Sequence, residues 1–362
     1  MDMKRDYYED IQLLDSKTKI FWFAVMFVVL AALPFIMPSY LISDINFYAI
    51  NILVAIGLNI LVGFTGQISL GHAGFFAIGA YSTAMLIKHA PVIPFPFVLI
   101  IAALIASVFG FILGLPSLKL EGPYLAIATL GFGMAIIQVL GRFQIFGGRM
   151  GFSVPDITFI RGALEQTGLF TRNAARDVNL YFIIIPITVF MVILARNLTK
   201  TRVGRAFIAI RDDDIAAETM GINLTLYKTL SFAVSAFYAG IAGGLYSLWI
   251  GFISPDTFDL ILSILFLAMV VVGGIGSIPG PIFGAIVVVF LNMNLKKEVI
   301  AGIPFIGPLL VDFSTSFMDL TGLAGISFIV FGLILMLIVI FEPLGLYGFW
   351  IRTKKYWKTW PF

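Results

Sequence analysis

Cysteine is absent from the sequence, and histidine occurs only twice, at His72 and His89. The chain therefore has no disulfide framework, no thiolate nucleophile and no sulfur ligand for a metal. Charge is scarce as well: Asp, Glu, Lys and Arg make up 12% of the residues, whereas soluble domains carry about 25%. With 60% hydrophobic residues and a mean hydropathy of +1.03, a soluble globule is excluded. Missing too is the alternating pattern of a membrane β-barrel. Helices are then the backbone form left to a chain that crosses lipid.

Chemistry-bearing motifs are also missing. No stretch reads G-x-x-x-x-G-K-[ST], so the chain holds no phosphate loop of its own. No acid pair, Ser/His/Asp set or zinc-type spacing supports catalysis. The net charge of +3 is small and gathers at the two ends and in the middle. That placement speaks for membrane orientation and against nucleic-acid binding.

What is present is a series of apolar runs at 20–37, 43–64, 69–87, 97–115, 123–141, 179–196, 228–250, 258–275, 279–295 and 326–342. Their lengths suit helices crossing a hydrocarbon layer of about 30 Å. The expected fold is an all-α polytopic membrane protein with eight to ten transmembrane helices. Residues 1–19 form a polar N-terminal segment, 20–342 the membrane domain, and 343–362 a tail in which aromatic residues alternate with lysines. Basic residues mark the cytosolic side. An even helix count puts both termini there, together with the central loop at 196–228. The loop at 142–178 then lies outside, although it also holds five arginines. It carries the tight-turning run Gly147-Gly148-Arg149-Met150-Gly151-Phe152, and with 296–325 it offers a platform for an external partner.

The central loop holds six of the 23 Lys and Arg residues and four of the 20 acids. Val203, Ala206, Phe207 and Ile210 fall on one face of an amphipathic helix. Asp212, Asp213 and Asp214 interrupt it, and aspartates favour a helix start. A second short helix is expected over 213–220, ended by Gly221. Its two alanines, Ala216 and Ala217, give a thin face for close approach to a partner, with Glu218 and the aspartates at the rim.

Two glycine-rich runs break the helical pattern within apolar segments. The first is Gly63-Phe-Thr-Gly66-Gln67-Ile-Ser69-Leu-Gly71-His72-Ala-Gly74; the second is Gly273-Gly274-Ile-Gly276-Ser277-Ile-Pro279-Gly280-Pro281-Ile-Phe-Gly284. A shift of 210 positions aligns Val62, Gly63, Gly66, Ile68 and Gly74 with Val272, Gly273, Gly276, Ile278 and Gly284. Paired breaks in two halves point to a duplicated transporter and its central pathway. Gly66, Gln67, Ser69, His72, Gly273, Gly276, Ser277 and Pro279 are the candidate lining of that path. Close helix packing accounts for many of the same glycines. A buried, hydrogen-bonded side chain suits His72 better than a metal ligand does. Acids and lysines deep inside the spans, the usual mark of an ion-coupled carrier, are not evident. The energy source is expected to lie elsewhere.

Three stretches together resemble one family. They are the run from Gly57 through Gly63, Gly66, Gln67, Ser69, Gly71, His72 and Gly79 to Tyr81; Ala209-Ile-Arg211-Asp-Asp-Asp-Ile-Ala-Ala-Glu218-Thr-Met-Gly221-Ile-Asn223; and Val272-Gly-Gly-Ile-Gly276-Ser-Ile-Pro-Gly280. They are similar to permease subunits of bacterial ABC importers for branched-chain amino acids, and to the M-type of these. Permeases for urea and short amides share the pattern. The resemblance implies a complex in the bacterial inner membrane containing an H-type permease, two ATPase subunits and a periplasmic binding protein. ATP and magnesium would belong to the ATPases, with no cofactor bound by this chain. Arg211, Asp213, Asp214, Ala216, Ala217, Glu218 and Gly221 would form the ATPase-coupling segment. In the family pattern a glutamate precedes the two alanines; here Ile215 stands in that place, and Ser231-Phe-Ala-Val234 replaces the downstream signature. A stand-alone channel or secondary carrier is the competing expectation.

Overall fold

The computed structural model describes residues 17–116, 120, 122–155 and 176–294 and, with short gaps, 332–359. The expected platform segment at 296–325 lies outside these residues, as do 156–175 and the first part of the run at 326–342.

Helix α1 (Lys17–Ile36) leads into α2 (Ser39–Asn59), which continues as a π-helical turn, Ile60–Phe64. Then come α3 (His72–His89), α4 (Phe95–Gly114), α5 (Pro123–Arg142) and α6 (Arg176–Lys200). Two short helices, α7 (Arg202–Asp212) and α8 (Asp214–Thr219), form the central loop. They are followed by α9 (Leu224–Ile250), α10 (Leu260–Gly273), α11 (Pro279–Asn294) and α12 (Gly345–Thr359). Two-residue strands β1 (Phe152–Ser153) and β2 (Phe252–Ile253) pair antiparallel. Six helices among the described residues are long and apolar enough to cross a membrane, and two shorter apolar ones accompany them.

Burial separates the helices into a centre and a shell. The apolar windows of Ser39–Phe64 and Leu224–Ile250 are 83% and 78% buried, against 28% for Pro123–Arg142. α9 is the axis, packing most extensively on α4 and α3 and then on α2. Its small residues explain this. A side chain at Gly240 would collide with Ala103 and Ala106 of α4, and one at Gly79 of α3 would meet the Gly240 backbone. Without an apolar–water contrast between helices, such close approach is what holds membrane helices together. At the end remote from the central loop, Arg176 donates to the Leu248 carbonyl at 2.8 Å, and Trp249 stacks on Phe47 with centroids 4.8 Å apart.

One expected span is shortened and another is entered through a turn. The run at 69–87 becomes a helix only from His72, after a non-helical stretch over 66–71. The run at 258–275 yields the 14-residue α10, entered through a 3₁₀ turn at Pro255–Phe258. In the first case a non-helical segment replaces helix that hydropathy alone would assign; in the second, Pro255–Gly273 as a whole stays long and apolar enough to cross a membrane. The glycine run at 147–152 makes 3₁₀ turns, with Gly147, Gly148 and Gly151 at positive φ, and feeds β1.

Candidate functional site

The first break begins where the π turn ends. Gly66 takes φ +76°, a left-handed value open to glycine at little cost. The chain then runs without helix or strand to His72. At membrane depth such backbone must find partners within the protein, and neighbouring helices provide them. Gln67 N–H donates to the Leu61 carbonyl at 3.1 Å, and Leu70 N–H to Thr129 Oγ1 of α5 at 3.0 Å. Ala73 N–H donates to Ser263 Oγ of α10 at 3.0 Å.

Gln67, Ser69 and His72 are all buried. Two of them dock on successive turns of α9. Gln67 Nε2 donates to Ser231 Oγ at 3.2 Å, and His72 Nε2 lies 3.1 Å from Ser235 Oγ. The Ser235 hydroxyl proton is already given to the Gly57 carbonyl at 2.6 Å. His72 Nε2 must therefore be the protonated nitrogen, leaving Nδ1 with a lone pair. Ser235 is the twelfth residue of α9, about 17 Å along that helix. α3 thus starts in the interior of the bundle. Among the described residues, Gln67 Oε1, Ser69 Oγ and His72 Nδ1 are buried atoms without a hydrogen-bond partner.

The second break is tighter. α10 ends at Gly273, Gly276 takes φ +76°, and α11 starts at Pro279. Proline suits a first helical position because its missing N–H has no intrahelical role there. Ser277 ties the turn by donating to the Gly274 carbonyl and accepting from Gly280 N–H, both at 3.1 Å. Gly273 lies against Gly280, and Gly284 against Met269 and Gly273, so α10 and α11 pack as a hairpin. Gly66 and Gly276, paired by the 210-residue shift, share the same φ.

The structure brings the two breaks together through a residue outside both candidate lists. Asn59, buried in the last turn of α2, accepts from Gly276 N–H at 3.0 Å and donates to the Ser277 carbonyl at 2.8 Å. Its signal in the sequence is only that it is one of three asparagines, with Asn46 and Asn51, in an otherwise apolar run.

In the central loop, Thr201 caps α7, accepting from Gly204 N–H at 3.4 Å. Ala206, Phe207 and Ile210 are buried, as the amphipathic spacing requires. Asp213 caps α8, its Oδ1 accepting from Ala216 N–H at 2.9 Å. The helix stops in a Schellman turn, with Gly221 N–H on the Glu218 carbonyl, Ile222 N–H on the Ala217 carbonyl, and Gly221 at φ +85°. The aspartates are engaged within the loop. Asp212 accepts from Arg211, and Asp214 pairs with Lys228 at 3.0 Å. The Lys228 hydrogen bond holds the Asp214 carboxyl below the usual carboxylate range, against a smaller opposing effect of burial.

The two alanines do not share an exposed face: Ala217 is buried and Ala216 exposed. α8 instead displays Ile215, and Met220 follows at its end; they are 74% and 84% exposed. Between α7, α8 and the start of α9 lies a groove of about 600 Å³ lined by Arg202, Arg205, Ala209, Ala216, Met220 and Tyr227, among others. Arg211 points away from it, Nη1 donating to the Gly63 carbonyl at 3.0 Å. Glu218 is exposed on α8.

Six apolar spans, two broken segments joined at one point and a folded loop beside that junction define a polytopic α-helical membrane protein. A family model described as the permease component of the branched-chain amino acid transport system matches residues 40–340, and the chain belongs to this family. It is 34% identical over 297 residues to the high-affinity branched-chain amino acid transport system permease protein LivM of Escherichia coli, covering 78% of this chain and 69% of that one. The LivM protein of Salmonella typhimurium is 33% identical over the same shares. A Methanocaldococcus jannaschii chain named "Probable branched-chain amino acid transport permease protein LivH" is 25% identical, covering 85% of this chain and 92% of that one. No solved structure matches.

Proposed function

We propose that this chain is the M-type half of the translocation path of an ATP-driven importer for branched-chain amino acids in the bacterial inner membrane. Its partners on this reading are an H-type permease, two ATPase subunits carrying ATP and magnesium, and a periplasmic binding protein. The substrate reading rests on the likeness to LivM. The machine-level reading rests on α8, which puts Ile215 into solvent, and on Met220 just past its end, which is exposed where it lines a preformed groove. Large apolar side chains displayed on a charged loop mark a protein-binding surface. Ile215, where the family pattern has glutamate, then serves as an apolar anchor for the ATPase. The loop end is cytosolic on this reading, and α12 lies there too, since Gly345 abuts Gly274.

The chain does no chemistry itself. ATP and substrate-loaded binding protein favour different conformations, and transport follows from that difference in affinity. Reconstitution with its partner subunits is the test. The complete complex takes up leucine only with ATP and loaded binding protein, and Ile215→Asp weakens ATPase co-purification at least about tenfold, the cost of one interface anchor. Leucine uptake by this chain alone, without ATP, would overturn the importer reading. Uptake of urea in place of leucine would keep the machinery and change the substrate.

A further inference from the structure

At the junction of the two breaks, five residues from three parts of the chain meet: Asn59, Gly63, Arg211, Gly276 and Ser277. Asn59 lies one helical turn before Gly63 in the first broken segment, and its amide grips Gly276 and Ser277 of the second. Arg211, in the last turn of α7, reaches the same point from the loop. Asp212 Oδ1 accepts from Arg211 Nε at 3.1 Å and Nη2 at 2.9 Å. That pairing fixes the plane of the guanidinium and leaves Nη1 to bond the Gly63 carbonyl at 3.0 Å. A Cβ on Gly276 would sit 2.7 Å from Nη1, and one on Gly66 3.3 Å from Arg211 Cγ. The arginine is thus fitted between the two positive-φ glycines.

The chemistry suits a mechanical link. Carbonyls at a helix end lack intrahelical donors, and a cation there is favoured by the helix dipole. The rigid fork of a guanidinium holds a carboxylate and a carbonyl together, which the single ammonium of lysine does less well. α7 therefore cannot move away from the membrane core without stretching the Arg211–Gly63 bond or carrying the junction with it. Asn59 makes the two breaks follow as one unit.

We propose that Arg211 transmits movement of the central loop to the paired breaks, and that Asn59 positions the second break to move with the first. The proposal rests on the ATP-driven reading of the preceding section. Its test is the amount of leucine taken up per ATP hydrolysed by the full reconstituted complex, with ATPase co-purification measured in parallel. Arg211→Ala lowers the uptake per ATP by at least about tenfold, the scale of one charge-assisted hydrogen bond. Arg211→Lys gives an intermediate ratio, and the ATPase co-purifies with both variants. The lysine variant decides the matter if the alanine variant does not accumulate. A wild-type ratio in both variants overturns the proposal, as does loss of the ATPase in step with uptake, which would assign Arg211 to the docking surface. Absence of ATP-driven uptake by the wild-type complex overturns the importer reading and this proposal together.

Discussion

Asp213 and Asp214 are neighbours with different work. Asp213 supplies the acceptor that starts α8. Asp213→Ala should loosen α8 by about 1 kcal/mol, and Asp213→Ser should restore most of it, read by hydrogen exchange at the Ala216 amide. Asp214 holds Lys228 at the start of α9, with side chains 36% and 13% exposed. A pair this open to solvent is screened and worth less than about 1 kcal/mol. Because the Asp214 carboxyl lies below its usual range when folded, the contribution is complete at neutral pH. It fades as pH falls through the lowered value, below about pH 4. Loop proteolysis should therefore quicken in acid for the native chain, and Lys228→Met should remove that part of the pH dependence. Asp212 completes the run by aiming Arg211.

At the scale of elements, the short helices of the loop divide their faces. Both alanines line the groove, but Ala217 is buried while Ala216 is exposed. Ala217→Arg should therefore disrupt the loop itself, seen as accelerated proteolysis between 196 and 228, whereas Ala216→Arg should leave the loop folded and block only its partner. Equal proteolysis of the two variants would contradict this division. The breaks divide their roles similarly. Gly276 stands at φ +76°, and a Cβ there would press on Arg211 and on the Gly63 carbonyl. Gly276→Ala should cost about 1–2 kcal/mol from backbone conformation alone, and more through the displaced guanidinium. In an Arg211→Ala background the second part disappears, so the two changes should not add. A double-mutant cycle on thermal stability in detergent measures the difference.

At the scale of the molecule, α9 is the element on which α2, α3 and α4 converge. Its glycines make this contact possible, so Gly240→Leu should destabilise the bundle by at least about 1–3 kcal/mol through overpacking, visible as a lower unfolding temperature in detergent. Composition and run length were enough to establish an all-α membrane protein, because lipid leaves a backbone few ways to satisfy its polar groups. Amphipathic spacing and turn chemistry were enough for α7, α8 and the Gly221 stop, because these depend on neighbours in sequence. The same local rules located both breaks. What local rules do not contain is distance across the fold. Only the tertiary structure buried Ala217 while exposing Ile215, started α3 in the interior, and engaged the aspartates within the loop. It alone joined Asn59 to Gly276, 217 positions away, and Arg211 to Gly63, 148 positions away. A buried carbonyl or amide needs a partner of the right geometry wherever the chain can supply one, and in this protein the partners of the two breaks come from a helix end and a loop that sequence order keeps far apart.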